Sequence, residues 1–384
     1  MLGQIIKREL RLLTSRPMWI VAIVGVPLFM AFFFLSILDE GLPKKVPAAI
    51  VDLDHSTMSR QITRSLNATE LVDITTHAES FNEAMDGVQR GETYGFFVIP
   101  PDFERDAVAG RGPTLSFYSN LTFYVPGTMV FKGFKTMGVS ASGALVQTNL
   151  VSRGLSDNLA STFLQPMTVV THPLNNPWLN YSYYLSSSFL PGILELMIFI
   201  MTVYAIAHEI KTGSSREWLA MARGDMPVAI VGKLLPQAVI FTLVGLGFNT
   251  LMFTVRHFPM HCPMWHMALG MLLFVIACQA FAVIVCCVMP NLRLGLSICC
   301  LLGILAFSLA AFSFPVQSMY GAIGIFSYIL PGRHYFEIYI DQALNGIPLY
   351  FSRWQYISLL IFPILSMLAL PMLRKSLARP VYVP

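Results

Sequence analysis

Six long apolar stretches constrain this chain more than any other feature, because each is long enough to cross a bilayer. About 20 helical residues cover the roughly 30 Å of hydrocarbon. Pro17 to Leu38 is uncharged and holds the run FMAFFFLSIL. Tyr181 to Ala207 carries one charge, Glu195. Leu234 to Val255, Met267 to Leu292 and Trp354 to Leu373 carry none. Leu294 to Gly332 is also uncharged, but its 39 residues are too many for one helix. Pro315 divides it, so Leu294 to Ser313 reads as a span and Phe314 to Gly332 as a short re-entrant or interfacial piece. Irregular backbone at membrane depth survives only where protein covers it or water reaches it. Composition agrees: 12% of residues are charged, against about 25% in an ordinary soluble domain.

Lys and Arg in the short loops set the orientation. Lys7, Arg8, Arg11 and Arg16 precede the first stretch, and Lys211, Arg216, Arg223 and Lys233 follow the second. Arg293 lies between the fourth and fifth, and Arg374, Lys375 and Arg379 follow the last. The loops of opposite parity hold only Arg256, Arg333 and Arg353, three against twelve. Both termini are therefore expected in the cytoplasm of a multi-pass protein. Residues 2–13 mix apolar and basic positions at helical spacing. They suit an amphipathic helix on the membrane surface or a plain basic flank that sets topology. The first apolar core exceeds the usual 7–15 residues of a signal peptide and no small-x-small site follows closely, so cleavage is not expected.

The expected organisation is a cytoplasmic segment (1–16), a first span (17–38), an inserted extracytoplasmic domain (39–180), a five-span membrane domain (181–373) and a tail (374–384). In the inserted domain AAIVDL reads as a strand. Ser56 to Leu66 reads as a helix with Ser56 as N-cap, and LVDITTH as a strand. Ser80 to Arg90 reads as a helix with Ser80 and Glu83 forming a capping box. YGFFVIP is a strongly apolar strand. Pro101 begins a short helix, LSFYSN is a strand, Val125 to Phe163 is helical and PMTVVTHPL is a last strand. The fold class is thus a polytopic α-helical membrane protein of six transmembrane helices with an inserted mixed α/β extracytoplasmic domain.

Little in the chain suggests catalysis. Asp52, Asp54 and His55 cluster after a strand and offer metal ligands, but Asp before Ser or Thr at such a turn usually bonds local backbone. His77 and His172 stand alone. GxSxG, HExxH and SxxK are absent. The six cysteines all lie beyond residue 260, show no CxxC pair and read as small hydrophobes packed between helices. A net charge of +4 is too modest to mark a nucleic-acid surface.

Several stretches carry a family resemblance. HEIKTGSSREWLAMARGDMPVAIVGKLLP (His208 to Pro236) follows the second span, with Glu209, Gly213, Glu217, Leu219, Gly232, Lys233 and Pro236 at motif positions. The usual threonine-proline is replaced by Ala222-Arg223-Gly224. IVDLDHSTMS (Ile50 to Ser59), NPWLNYSYYLSSSFLPGIL (Asn176 to Leu194) and ILPGRHYFEIYIDQALNG (Ile329 to Gly346) keep the same order. Over essentially its whole length the chain resembles permease subunits of type-2 ABC exporters with a large periplasmic domain. The resemblance implies a bacterial inner-membrane exporter subunit, paired as a homodimer or with a similar permease, with a periplasmic adaptor as a further partner. Its cargo would be amphipathic, lipid-like or drug-like, which the aromatic residues Phe32, Phe33, Phe34, Phe189 and Phe199 also favour. Membrane lipids surround it, and nucleic acid is no partner.

GxxxxGK[ST] is absent, because Gly232-Lys233 is followed by Leu. No cofactor is expected in this chain, and ATP would be bound by a separate ATPase subunit. The contact expected for that subunit is the segment 209–233, with Glu209, Lys211, Arg216, Glu217, Trp218 and Leu219 as coupling residues and the N-terminal helix as second contact. An amphipathic loop helix resting on lipid is the alternative. Glu195 is a candidate intramembrane functional group, either buried or wet at the interface. Glu337 and Asp341, one turn apart in the external segment 314–350, are candidate exit residues or a solvated face. Two competing functions remain open: a receptor or secretion-accessory scaffold whose external domain binds a partner, and, less favoured, a membrane-embedded enzyme.

Overall fold

The computed structural model describes residues 1–15, 17–39, 41–152, 154, 156, 158–159, 175–176, 180–310 and 315–378. The chain forms two compact units, one of Met1–Gly41 with Pro173–Pro384 and one of Leu42–His172.

The first unit opens with helix α1, Leu2–Ser15, whose buried residues Ile5, Glu9 and Leu13 recur every fourth position and so form one stripe. Helix α2, Pro17–Ile37, starts on a proline, which the first turn tolerates. Its backbone widens into a π turn at Val21–Gly25. Phe29, Phe32 and Ile37 are exposed, while Ile23, Ala31 and Leu35 pack inward.

In the second unit β1 (Val46–Asp52), helix α3 (Thr57–Asn67), β2 (Val72–Ala78), helix α4 (Phe81–Gln89), β3 (Gly95–Ile99), helix α5 (Phe103–Val108) and β4 (Ser116–Ser119) lead to the long helix α6 (Tyr124–Ser152). The sheet order is β2-β1-β3-β4. β1 runs parallel to β2 (Val46 opposite Val72) and to β3 (Ala49 opposite Phe96), and β4 returns antiparallel to β3. Side chains alternate: Val46, Ala48 and Ile50 pack with Ile62, Leu66 and Phe134, while Ala49 and Val51 pack with Ala84. Ser56 Oγ accepts the Ser59 N–H, and Ser80 Oγ accepts that of Glu83. The Glu83 carboxylate in turn accepts the Glu79 N–H. Helix α5 begins at Phe103 rather than Pro101, because Asp102 adopts a left-handed φ of 60° just before it. The predicted strand 166–174, His172 included, lies outside the described residues, as does most of the stretch between Ser152 and Phe163.

The first unit resumes with α7 (Tyr181–Thr212), α8 (Ser215–Met221), α9 (Met226–Val255, ending in a π turn), α10 (Met264–Val288) and α11 (Leu292–Leu309). Pro315 and a short 3-10 turn lead to α12 (Gly321–Ser327) and α13 (Pro331–Ile338), which runs into a π turn at Tyr339–Leu344. Helix α14, Arg353–Ala378, comes last. Six of these helices, α2, α7, α9, α10, α11 and α14, are long and apolar enough to cross a membrane. α7 and α10 are the most enclosed, while α2 and α11 are peripheral.

Charge-free windows misjudge several boundaries. α7 runs five residues past Ala207 to a Gly213 cap at φ +74°. α9 starts eight residues before Leu234, capped by the Asp225 carboxylate on the Val228 N–H, so Gly232 and Lys233 lie well inside it. Arg293 sits in the first turn of α11, capped by Asn291, and not in the preceding turn. The reason is the same for α7 and α9: their ionised residues are paired within the protein and need not stop the helix.

Candidate functional site

Glu209, near the end of α7, gathers a charge cluster from three helices. Its Oε1 accepts Arg8 Nη1 and Lys233 Nζ, each at 2.7 Å. Its Oε2 accepts Arg8 Nη2 at 3.0 Å and the Ser214 hydroxyl. Glu9 Oε1 accepts Lys233 Nζ at 2.9 Å and Arg8 Nη1 at 2.8 Å. Two cations thus face two carboxylates with no net charge. The Glu9, Glu209 and Lys233 side chains are at most 4% exposed. Burial alone would lower the Arg8 pKa, but its bond to Glu209 and the charges of Glu209, Glu9 and Glu217 raise it above the ordinary value. Lys233 Nζ also lies 4.8 Å from the Trp218 ring centroid. Gly232 lets α1 approach closely, since a Cβ there would stand 3.0 Å from Ile5.

Helix α8 sits on this cluster. Trp218 is fully buried, and its Nε1 donates to the Ala229 carbonyl at 3.3 Å. Ser215 Oγ donates to the Leu377 carbonyl of α14 at 2.9 Å. Of the predicted coupling residues, Lys211, Arg216 and Glu217 are exposed and Leu219 is half-buried. Glu209 and Trp218 are not surface residues: the first holds the cluster and the second packs α8 down. One side of α8 thus packs on protein, and α1 packs through its Ile5–Glu9–Leu13 stripe.

Glu195 occupies a second buried place. It is 1% exposed, and its Oε1 accepts the Gly332 N–H of the first turn of α13 at 3.1 Å. A Cβ at Gly332 would stand 2.2 Å from Glu195 Oε2, so any larger residue there requires the Glu195 carboxylate to move. Ser187, Ser188, Pro191 and Phe307 help line a cavity of about 20 Å³ beside it, room for about one water.

The remaining candidates are spoken for locally. Glu337 pairs with Arg333 at 2.9 Å, and Arg333 stacks 3.7 Å from the Tyr328 ring centroid. Asp341 accepts the Ser352 hydroxyl at 3.1 Å, and Ser352 in turn accepts Gln342. Both acids are half-buried. Phe34 stacks on the half-buried Phe189 at 4.8 Å, and Phe199 is buried against Phe281 at 5.1 Å, while Phe32 and Phe33 are exposed. Asp52 accepts the N–H groups of Asp54 and His55 and the Ser59 hydroxyl, and Asp54 accepts the Glu104 N–H. Among the described residues no group of His, Cys, Asp and Glu is suited to a metal ion.

The sequence model of a family described as ABC-2 family transporter protein matches residues 16–370. The chain belongs to the ABC-2 transporter family. Comparison with curated proteins gives no match. An ABC-2 permease is a multi-pass transport component, and members in general work with an ABC ATPase. The Glu209 cluster lies in the stretch that carries the family resemblance, yet Arg8 and Glu9 were not legible as its partners. The available signal was Lys233: a cation between Val231 and Leu234 needs buried acids.

Proposed function

We propose that this chain is the permease subunit of an ATP-driven exporter, with both termini in the cytoplasm and residues 42–172 outside the inner membrane. A separate ATPase docks on the exposed side of α8, at Arg216 and Glu217, and on Lys211 in the last turn of α7. One observation supports this docking reading above the others. The same short helix exposes Arg216 and Glu217 while its buried side is fixed to α7, α9, α14 and α1 through Ser215, Trp218 and the Glu209 cluster. A push on α8 is therefore delivered to three membrane-crossing helices at once. One chain supplies half a pathway, so it pairs with a second copy or a similar permease. The cargo class is amphipathic or lipid-like, and a periplasmic adaptor is an additional partner of residues 42–172.

The test is co-purification in mild detergent with mass spectrometry of the associated chains. Reversing the exposed charges together, Arg216→Glu with Glu217→Lys, is expected to release an ATPase chain while leaving the permease folded. Normal ATPase stoichiometry in that variant would sink the docking assignment. No ATPase with the native chain would favour a receptor or scaffold.

A further inference from the structure

A groove runs between α9, α10 and α14, away from the charge cluster. Its walls include Pro227, Val231 and Leu234 of α9, Ala280 of α10, and Met367 and Leu370 of α14, around about 230 Å³. The two polar side chains in it are turned to backbone: Gln279 donates to the Leu234 carbonyl at 3.3 Å, and Ser366 to that of Pro363 at 2.8 Å. What faces the groove is hydrocarbon. Its α9 wall extends from Pro227 to Ala238, about 16 Å of helix. That is the depth of one leaflet of a hydrocarbon core about 30 Å thick. The volume falls below the roughly 300–1,000 Å³ of a drug-sized site and suits one extended chain.

One end of this groove is cationic. Arg374 follows Met367 and Leu370 at seven and four residues on α14, so it continues the same helical stripe. Its guanidinium reaches the turn before α9, where a Cβ on Gly224 would lie 3.6 Å from Nη2. Gly224 is three residues from Pro227, where the opposite wall starts. Arg223, exposed and at φ +53°, is next to it. Neither arginine forms an ion pair among the described residues. The nearest acid in sequence, Asp225, caps α9.

We propose that this groove binds one acyl chain of an anionic phospholipid whose phosphate is held by Arg374 and Arg223. Guanidinium binds phosphate through paired, charge-assisted hydrogen bonds, and anionic lipid is drawn to basic groups at the membrane surface. The proposal rests on the six helices lying in a membrane and is independent of the ATPase reading.

Native mass spectrometry of the purified full chain with dioleoyl phosphatidylglycerol or phosphatidylcholine tests it. The native chain is expected to retain phosphatidylglycerol preferentially. Arg223→Gln with Arg374→Gln is expected to weaken that retention by about tenfold or more at unchanged lipid-free melting temperature. Val231→Trp, which fills the groove from its exposed side, is expected to reduce retention of both lipids. Equal retention of the two lipids by the native chain would overturn the headgroup assignment. So would phosphatidylglycerol retention untouched by the double substitution, whereas its displacement by glycerol phosphate alone would overturn the acyl-chain assignment.

Discussion

Lys233 Nζ meets Glu209 Oε1 at 2.7 Å across 24 residues of sequence, joining the middle of α9's first half to the end of α7. Both groups are buried, so the pair is a mutual requirement and not a surface decoration. Lys233→Met removes one charge and leaves Glu9 and Glu209 facing a single partner, Arg8. Breaking a buried pair this way costs about 3–5 kcal/mol. The melting temperature of the purified chain is expected to fall sharply. Glu209→Gln added to Lys233→Met is expected to recover part of the loss, because it removes the stranded charge. Simple additivity of the two substitutions would show that the pair is not coupled.

Trp218 and Glu217 are neighbours in sequence with opposite duties. Trp218→Ala empties a fully buried site and is expected to cost about 3–5 kcal/mol, read as a lowered melting temperature. Glu217→Lys changes an exposed residue and is expected to leave stability within about 0.5 kcal/mol while weakening ATPase association. Equal effects of both variants on stability would contradict the burial pattern.

The sequence exposed some of this and hid the rest for a physical reason. Local signals are legible: Ser56 and Ser80 do cap their helices, whereas α11 ends at Leu309, ahead of Pro315, and residues 311–314 lie outside the described residues. Boundaries at α7 and α9 were missed because hydropathy scores each charge as if it stood alone. Glu209 and Lys233 neutralise each other, so the helices continue through both. Arg8 reads only as a basic flanking group and Glu9 carries no signal of its own, because a partner 201 residues from Arg8 leaves no periodic trace. Trp218 reads as a partner-surface residue from sequence, since an aromatic on a polar loop helix suits either an interface or an anchor. Only the packing against Ala229 and Lys233 distinguishes them.

The location of residues 42–172 is open to direct measurement. Arg90 is exposed in the second unit, where it pairs with Glu92. Arg90→Cys is expected to react with a membrane-impermeant maleimide on spheroplasts. The native background is expected to be low, because five of the six cysteines are buried and Cys300 is partly so. Labelling only after membrane disruption would invert the topology and with it the docking proposal.

Glu195 and Gly332 provide the sharpest steric test. Gly332→Ala brings a methyl group to 2.2 Å from Glu195 Oε2, which neither residue can accommodate in place. The variant is expected to lose stability or expression. Adding Glu195→Ala removes the obstructing carboxylate, so the double variant is expected to be more stable than Gly332→Ala alone despite the lost acceptor. Glu195→Gln keeps an oxygen for the Gly332 N–H and is expected to melt close to the native chain. Glu195→Leu strands that N–H at about 1–3 kcal/mol. Transport assayed in the Gln variant then separates two roles for the carboxylate. Full activity assigns Glu195 to holding α13 against α7, whereas lost activity at native stability assigns function to its charge.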